Sequence, residues 1–451
     1  MLIVLSDLHL SETQSTHISA YRNNRNLSAE TYLAFFREVN QIANANQVTK
    51  VDVVLAGDIL EISRSSIWLD GKFRPYVDNE EVEPGSELEV TILGIIDAIA
   101  SDKNVSEALF LFRHIDHHFD MPVNLYLILG NHDRLANGTV RIREKVRNLF
   151  GLEGGDSAID NYLILRDNLN RPFCLVRHGH EYDPTNFALN VQKMDSIPTA
   201  IPRSYYEKAC LGDITTIEFG AALPDYFLDY YGEKAIIDDW KLSALYNRLL
   251  EFDDVRPTSA WLSYLFSMPG IEEEKTWKLI QPAFTKVLAT LGDHGEFNKT
   301  LKDAEIINPL TQFVLMGILR SGFFSRGVPY WMIKMIMKRV SKSIKLDSQV
   351  KWAKREALIQ NKKSGCKCVI SGHTHFAEVS LISSRKDDMR YYINTGTWRN
   401  VIPATKDFKQ FGRLKAFTKV MIFYPEEKQA LNSDWAFHYM SGMSFGDRRN
   451  L

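Results

Sequence analysis

Histidine, aspartate and asparagine cluster in this sequence in short turn-like segments, a combination that can hold divalent metal ions. Imidazole, carboxylate and amide-oxygen groups form a mixed ligand set that suits Mn²⁺, Fe²⁺, Zn²⁺ or Co²⁺ better than Ca²⁺ or a thiolate-preferring ion. The segments are Asp7-Leu8-His9, Gly57-Asp58, Gly130-Asn131-His132-Asp133, His178-Gly179-His180 and Gly372-His373-Thr374-His375. Their residue types predict a metal site, provided that the fold brings them together.

The number of candidate ligands favours two ions over one. The candidates are Asp7, His9, Asp58, Asn131, His178, His373 and His375. This set exceeds what a single tetrahedral ion needs. Two ions that share a carboxylate fit better, at the separation of roughly 3.5–4 Å typical of two-metal hydrolases. Each residue taken singly also has an ordinary alternative, such as a strand-end carboxylate or a hydrogen-bonded core histidine.

Each of the five segments follows a short apolar run that is typical of a buried strand. The runs are Leu2–Leu5, Val51–Ala56, Val123–Leu129, Phe173–Val176 and Cys368–Ser371. Helical spacing of apolar residues in Ala29–Ala45 and Glu87–Ala100 separates several of them, so the pattern predicts an α/β core. Ligands gather at the carboxyl ends of the strands in such sheets, so the five segments are expected to meet at one site.

The strand pattern stops between Asp183 and Gly365. Helical patterns replace it in Ile236–Leu250, Glu272–Leu291 and Tyr330–Ile344. We interpret residues 183–365 as a helical insertion, or cap, and residues 1–182 and 366–451 as the core. Two later segments, Tyr391–Asn394 and Leu414–Tyr424, are predicted strands that would complete a second sheet.

The order D-x-H, GD, GNHD, H-G-H and GHTH resembles the calcineurin-like metallophosphoesterase superfamily, over the whole chain except the insertion. The resemblance implies a four-layer α/β/β/α sandwich of two mixed sheets. It also implies hydrolysis of a phosphate ester or anhydride by hydroxide that two divalent ions activate. Mn²⁺ is the first expectation, with iron, zinc, cobalt and magnesium as alternatives. No serine or cysteine nucleophile and no covalent intermediate are expected.

The resemblance also implies a role for each candidate. Asp7, His9 and His375 would hold one ion, Asn131, His178 and His373 the other, and Asp58 would bridge the two. His132 would face the substrate as a general acid or a stabilising cation, and Asp133 would orient it. Support of the ligands from outside the coordination sphere is the expectation for His180. Arg399 is a further candidate for phosphate binding, with a plain structural turn as its equal alternative.

Bulk composition narrows the class of protein. The formal net charge of -2 predicts no global attraction to nucleic acid or membrane. Four cysteines are too few for a disulfide framework in 451 residues, so reduced thiols are expected. The apolar start lacks the basic leader and cleavage site of a signal peptide, and no apolar stretch is long enough to span a membrane. The sequence therefore predicts a cytoplasmic protein.

One part of the predicted insertion carries a local excess of positive charge. Twelve lysine or arginine residues lie between Arg320 and Lys363, against Asp347 and Glu356. Residues 328–345 are typical of a basic amphipathic helix, which suits an anionic membrane surface or nucleic acid. The competing interpretation is a helix that packs its apolar face on the core and leaves a solvated basic face. Peripheral membrane association is thus an alternative to a purely cytoplasmic location.

Three alternatives to a general phosphoesterase remain open. The basic insertion and the opening S-D-L-H-L resemble the UDP-diacylglucosamine diphosphatase branch, which implies a lipid-linked UDP-sugar pyrophosphatase at a membrane surface. That branch often carries arginine where this chain has His132, and its insertion is shorter. A DNA or RNA phosphodiesterase is the second alternative, although no long heptad run is present. A non-catalytic scaffold is the third, although all candidate ligands are present. No segment indicates a protein partner.

Overall fold

The computed structural model describes residues 1–13, 25–76, 82–167, 169–293, 328–335, 348–385, 388–424, 427 and 435–444. Strands and helices alternate in the first part of the chain. In order they are β1 (Leu2–Leu5), α1 (Ala29–Ala45), β2 (Val51–Ala56), α2 (Ile67–Asp70), α3 (Glu87–Ser101), α4 (Lys103–Arg113), β3 (Val123–Ile128), α5 (Val140–Phe150), β4 (Tyr162–Arg166) and β5 (Pro172–Arg177). The strands and helices predicted in this part are confirmed to within one residue at each end.

The predicted insertion is mainly helical where it is described. Its elements are α6 (Ser204–Glu207), α7 (Leu211–Thr215), a π-helix (Thr216–Ala222), α8 (Leu223–Tyr231), α9 (Glu233–Asp238), α10 (Trp240–Leu250), β6 (Val255–Arg256), α11 (Trp261–Phe266), α12 (Glu273–Asp293), α13 (Val350–Ala353) and α14 (Ala357–Gln360). The helix predicted over 236–250 is two helices. Asp239 separates them, because its backbone is extended and its carboxylate caps α10 by accepting from the amide of Lys241.

Only the start of the predicted basic helix 328–345 lies within the described residues. Residues 330–335 are helical, and the remainder falls outside the described part of the chain. Ile333 is buried in the main hydrophobic cluster, whereas Trp331 is exposed. One face of this helical segment therefore packs on the protein.

The chain returns to strands after the insertion. These are β7 (Cys368–Ser371), β8 (Ala377–Arg385), β9 (Asp388–Thr395), β10 (Asn400–Pro403), β11 (Leu414–Phe423) and β12 (Ala436–Ser444). With the earlier strands they form two mixed sheets. The first has the order β3-β2-β1-β11-β10-β6, with β12 paired to β11, and the second has the order β4-β5-β7-β9-β8.

One predicted strand lies in the other sheet. The sequence assigned Leu414–Tyr424 to the second sheet, but β11 pairs antiparallel with β1 in the first, with Ile3 opposite Met421. The apolar pattern of a strand identifies it as buried but does not specify its neighbour, so this prediction was wrong.

Alternating side chains of β1 bury both faces of the first sheet. Leu2 and Val4 enter a cluster that also contains Val176 and Ile370 of the second sheet, so the sheets share this part of the core. Ile3 and its neighbours on the opposite face pack in a second cluster with helix residues of α1 and α3. Buried on both faces, the strand holds its carboxyl end rigidly.

The insertion is not packed by itself. Its apolar residues Phe227 and Leu249 belong to the same hydrophobic cluster as Ile3 and Trp398 of the core. Its short strand β6 also extends the first sheet by pairing parallel with β10. The insertion therefore contributes residues at the edge of the sheet whose strand ends carry the candidate ligands.

None of the described helices is both long and apolar enough to cross a membrane.

Candidate metal centre

Five of the candidate ligands have left-handed backbones where their strands end. The φ angles are 53° at Asp7, 46° at His9, 53° at Asp58, 67° at His373 and 59° at His375. Non-glycine residues rarely adopt this conformation, which costs of order 1–3 kcal/mol each and persists only where the surroundings enforce it. The shared strain points to these turns as a candidate functional site, independently of side-chain type.

Two glycines allow these turns to approach each other. A Cβ atom at Gly130 would overlap the carboxylate of Asp58, and one at Gly372 would overlap the carboxylate of Asp7. Glycine is therefore required in GNHD and GHTH by close backbone approach.

The first group of side chains contains Asp7, His9 and His375, all buried, with ligand atoms within 4.8 Å of one another. Nε2 of His375 lies 3.2 Å from Oδ1 of Asp7 and 3.1 Å from Nε2 of His9. Nδ1 of His9 lies 2.7 Å from Oε2 of Glu61, a carboxylate that accepts a hydrogen bond from it. This hydrogen bond leaves Nε2 of His9 free to ligate, as in many metal sites.

The second group contains Asp58, His178 and His373, also with ligand atoms within 4.8 Å of one another. Nε2 of His178 lies 3.0 Å from Oδ2 of Asp58. Nδ1 of His178 donates to the carbonyl oxygen of Ala56 at 3.0 Å, which fixes the tautomer that presents an unprotonated Nε2 to a metal.

Asp58 connects the two groups. The same Oδ2 atom lies 3.0 Å from His178 of the second group and 3.9 Å from His9 of the first. Its other oxygen accepts from the amide of His132 at 2.8 Å, which holds the carboxylate in place. This is the position that a bridging ligand requires.

The side-chain oxygen of Asn131 has no hydrogen-bond donor among the described residues. Its side-chain nitrogen donates to Oδ1 of Asn186 at 3.4 Å, which orients the amide. Its Oδ1 is buried and accepts no hydrogen bond from any described residue. A buried acceptor without a donor is costly, so this oxygen fits a metal ligand. Together with the buried histidine and carboxylate groups, it shows that the residues present suit divalent cations.

Two contacts compete with metal binding. Nε2 of His373 lies 3.2 Å from Oδ2 of Asp183. A guanidinium nitrogen of Arg256 lies 2.5 Å from Nδ1 of His375. The same nitrogen lies 3.1 Å from Nε2 of His375, so Arg256 would have to move away before His375 could bind a metal ion.

The partner of His132 differs from the predicted one. Nδ1 of His132 lies 2.6 Å from Oε1 of Glu61. The two oxygens of Asp133 instead accept from the backbone amides of Gly130 at 2.6 Å and Ile59 at 2.8 Å. The prediction that Asp133 orients His132 was therefore wrong. Asp133 holds the GNHD turn against the end of β2, since a short carboxylate at this position reaches the amides of its own turn.

Glu61 interacts electrostatically with both His9 and His132. Burial disfavours charge on His132, but Glu61 and Asp58 outweigh it and raise the pKa of His132 to about 10. Burial likewise opposes charge on Glu61, yet His132 and His9 hold the pKa of this carboxyl below its usual value. Burial, followed by the charge of Arg399, lowers the pKa of His9. Glu61 thus favours the charged form of His132, whereas burial and Arg399 favour the neutral form of His9.

His180 and Arg399 are both buried near the site. His180 belongs to neither of these groups nor to a third group of close ligand atoms, His9, Glu61 and His132. Its Nδ1 lies 3.5 Å from Oε2 of Glu181. Burial lowers the pKa of His180 to about 4. Arg399 donates to Oδ1 of Asp254 in the insertion at 2.8 Å. The structure thus brings all predicted site residues to one region and adds Glu61, Asp183 and Arg256, which the motif pattern did not include.

No family model matches this chain, and no curated protein or solved structure matches it.

Proposed function

We propose that this chain is a metal-dependent phosphoesterase that hydrolyses a phosphate ester or anhydride with two divalent cations. The observation that carries the proposal is the shared position of Asp58, one oxygen of which faces His178 of one group and His9 of the other. Two such groups around one carboxylate are typical of two-metal hydrolases. Mn²⁺ is the metal that we propose first.

The packing of helices on the two sheets also supports this proposal. One hydrophobic cluster contains residues of both sheets, and helices α1 and α3 pack on the outer face of the first sheet. Ala353 and Ile359 of α13 and α14 cluster with Leu175 and Val369 of the second sheet. We infer a four-layer α/β/β/α sandwich, the architecture implied by the resemblance to calcineurin-like metallophosphoesterases.

Each residue can then be given a role. Bound cations would supply hydroxide at neutral pH and neutralise the charge that develops on the phosphoryl oxygens. Asp7, His9 and His375 would hold one cation, while Asn131, His178 and His373 would hold the other. Glu61 accepts from Nδ1 of His132 and keeps the second ring nitrogen protonated, so that His132 can donate a proton to the leaving oxygen.

The test combines metal content with hydrolysis. Metal-stripped protein reconstituted with Mn²⁺ is assayed against a phosphomonoester, a phosphodiester, single- and double-stranded DNA and a UDP-linked diacyl sugar. We expect two bound ions and Mn²⁺-dependent cleavage of at least one substrate, both lost in Asp58→Asn. The exposed His117 provides a control, since His117→Gln should retain both. Wild-type protein that binds no Mn²⁺ would contradict the proposal, as would equal turnover in the presence of a chelator.

The substrate panel also separates the alternatives. Cleavage of the UDP-linked lipid alone would favour a pyrophosphatase acting at a membrane surface, and cleavage of DNA would favour a nuclease. Bound metal without turnover of any substrate would favour a scaffold. The basic segment 328–345 remains the proposed contact for a membrane or nucleic acid, and the exposed Trp331 at its start is compatible with either.

A further inference from the structure

Three arginine side chains contact one dipeptide of the insertion, Asp253-Asp254, beside the candidate metal centre. Arg64 contacts Oδ2 of Asp253 at 2.5 Å, and Arg399 contacts Oδ1 of Asp254 at 2.8 Å. Arg256 donates to the carbonyl oxygen of Asp253 at 2.6 Å. Burial lowers the pKa of a fourth arginine, Arg25, to about 10, although the charges of Asp254 and Asp253 oppose the shift. The core and the insertion thus contribute to one cluster.

The cluster is a buried network of opposite charges. Three guanidinium groups contact Asp253 or Asp254. Glu61 is a further carboxylate within electrostatic range of Arg399, although it is engaged by His9 and His132. Burial lowers the pKa of Arg256 to about 10, although the charge of Asp253 opposes the shift. Buried charged groups are costly unless their donors find acceptors, so a guanidinium donor without one favours an anion.

Two of these guanidinium groups have unused donors. Nη1 of Arg399 and Nη2 of Arg25 are buried and make no hydrogen bond with any described residue. The Arg399 side chain is only 6 % exposed. Buried donors normally have partners, so these two atoms point to a group that would accept from them.

The cluster borders the metal centre on the side of the first group. A guanidinium nitrogen of Arg256 lies 2.5 Å from Nδ1 and 3.1 Å from Nε2 of His375, one of the candidate ligands. The cluster is therefore in direct contact with the candidate metal centre.

We propose that Arg25, Arg64, Arg256 and Arg399 form a subsite for a phosphate group other than the one that is hydrolysed. Phosphate oxygens would accept from the unused donors, and their tetrahedral arrangement suits the planar, multiply donating guanidinium group. The ligand is either a second phosphate of the substrate or free inorganic phosphate. The subsite deepens the proposed function and rests on it for its catalytic meaning, whereas phosphate binding itself can be tested without metal.

The first experiment measures binding of inorganic phosphate to the metal-stripped full chain by isothermal titration calorimetry. Each charge-assisted hydrogen bond contributes enough that its loss weakens binding about tenfold or more. We therefore expect Arg25→Gln and Arg399→Gln each to weaken binding by at least about tenfold. The exposed Arg141 gives a matched control, so Arg141→Gln should bind as wild type does.

Folding must be separated from binding. Each variant is checked by circular dichroism and thermal melting, and Arg399→Lys, which keeps the charge but loses the planar fork, should show intermediate affinity. If Arg399→Gln does not fold, Arg25→Gln decides the question. Absence of phosphate binding by the wild-type chain would overturn the subsite, as would wild-type affinity in a folded Arg25→Gln variant.

A kinetic arm identifies the source of the phosphate. With Mn²⁺-loaded protein, Arg399→Gln should raise KM for a nucleoside diphosphate ester at least about tenfold more than for a phosphomonoester if the subsite takes a second substrate phosphate. Equal effects on the two substrates, with phosphate binding still lost, would assign it to free phosphate. Phosphate binding without any metal-dependent turnover would refute the proposed phosphoesterase and leave the subsite standing.

Discussion

Glu61 is placed to control two histidines with different tasks. One oxygen lies 2.7 Å from Nδ1 of His9 and the other 2.6 Å from Nδ1 of His132. The carboxylate orients a candidate metal ligand through its first oxygen and favours the charged form of a candidate acid through its second. Substituting Glu61 should therefore affect turnover more than substituting any single neighbour outside the coordination sphere.

We predict that Glu61→Gln lowers kcat by roughly 10–100-fold, the usual effect of losing a partner of a metal-bound histidine. The amide keeps the shape of the side chain but removes the charge that protonates His132, so the acidic-group limb of the kcat profile should move to lower pH. The measurement is kcat between pH 5 and 10 with Mn²⁺, with metal content determined in parallel.

The exposed His117 again supplies the comparison, because His117→Gln should leave the pH profile unchanged. An unchanged kcat and pH profile for Glu61→Gln would show that Glu61 does not act through His132. Loss of both ions would instead assign it a purely structural role.

At the scale of elements, the insertion is tied to the core by buried polar groups as well as by apolar packing. Arg64 donates to the carbonyl oxygens of Gly220 and Leu250 and pairs with Asp253. On the other side, Glu356 near the end of the insertion meets Arg177 at the end of β5 at 3.3 Å. The contacts of Arg64 hold Asp253 and the neighbouring Arg256 of the insertion next to the candidate metal centre.

The contact between Glu356 and Arg177 is expected to depend on pH, because Glu356 can ionise. The side chain is buried, its Oε1 accepts from Tyr182 at 2.6 Å, and burial raises its pKa to about 7 although Arg177 opposes the shift. The folded protein therefore holds a proton on Glu356 that the unfolded chain releases above pH 4.5. The stabilisation that protonated Glu356 contributes is complete below pH 4.5. It is lost as the pH rises through about 7, the pKa of Glu356 in the folded protein.

We predict that Glu356→Gln, which cannot ionise, gains stability relative to wild type as pH rises. The gain between pH 5 and pH 8 should be on the order of 2 kcal/mol, because one pKa unit corresponds to about 1.4 kcal/mol. Urea unfolding at both pH values measures it, with the exposed Glu153→Gln as the control. A stability difference that is constant with pH would contradict a shifted pKa at Glu356.

At the scale of the whole molecule, the buried carboxylates of the candidate metal centre are expected to destabilise the metal-free fold. Asp7 and Asp58 are fully buried carboxylates at the meeting point of the two sheets. Their strands belong to the shared core, so any repulsion between them acts on both sheets. Cations that bind the folded chain compensate this charge and shift the folding equilibrium.

We predict that Mn²⁺ raises Tm by several degrees relative to chelator-treated protein. An excess of ligand about a hundredfold over Kd stabilises a protein by about 2.7 kcal/mol. Asp58→Asn should lose most of the shift, whereas His117→Gln should retain it. Differential scanning fluorimetry over a Mn²⁺ titration provides the measurement, and identical melting curves with and without Mn²⁺ would contradict a bound ion.

The local sequence was sufficient for the strands β1, β2, β3, β5 and β7 and for the ligand types at their ends. Apolar runs and turn residues are encoded within a few positions, so burial and chain reversal can be inferred without knowing the neighbours. Parallel strands then bring their carboxyl ends to one edge, which is why the predicted ligands meet. The position of Asp58 between two groups agrees with the predicted bridge in geometry, while metal binding itself remains a prediction.

Only the tertiary structure decided which side chains face each other across long stretches of chain. Glu61 lies 71 positions from its partner His132, and Asp254 lies 145 positions from Arg399. The same holds for β11, whose pattern indicates burial but not that β1 is its neighbour. Hydrophobic periodicity specifies the face that a segment buries, whereas the partner on that face depends on the packing of the complete chain.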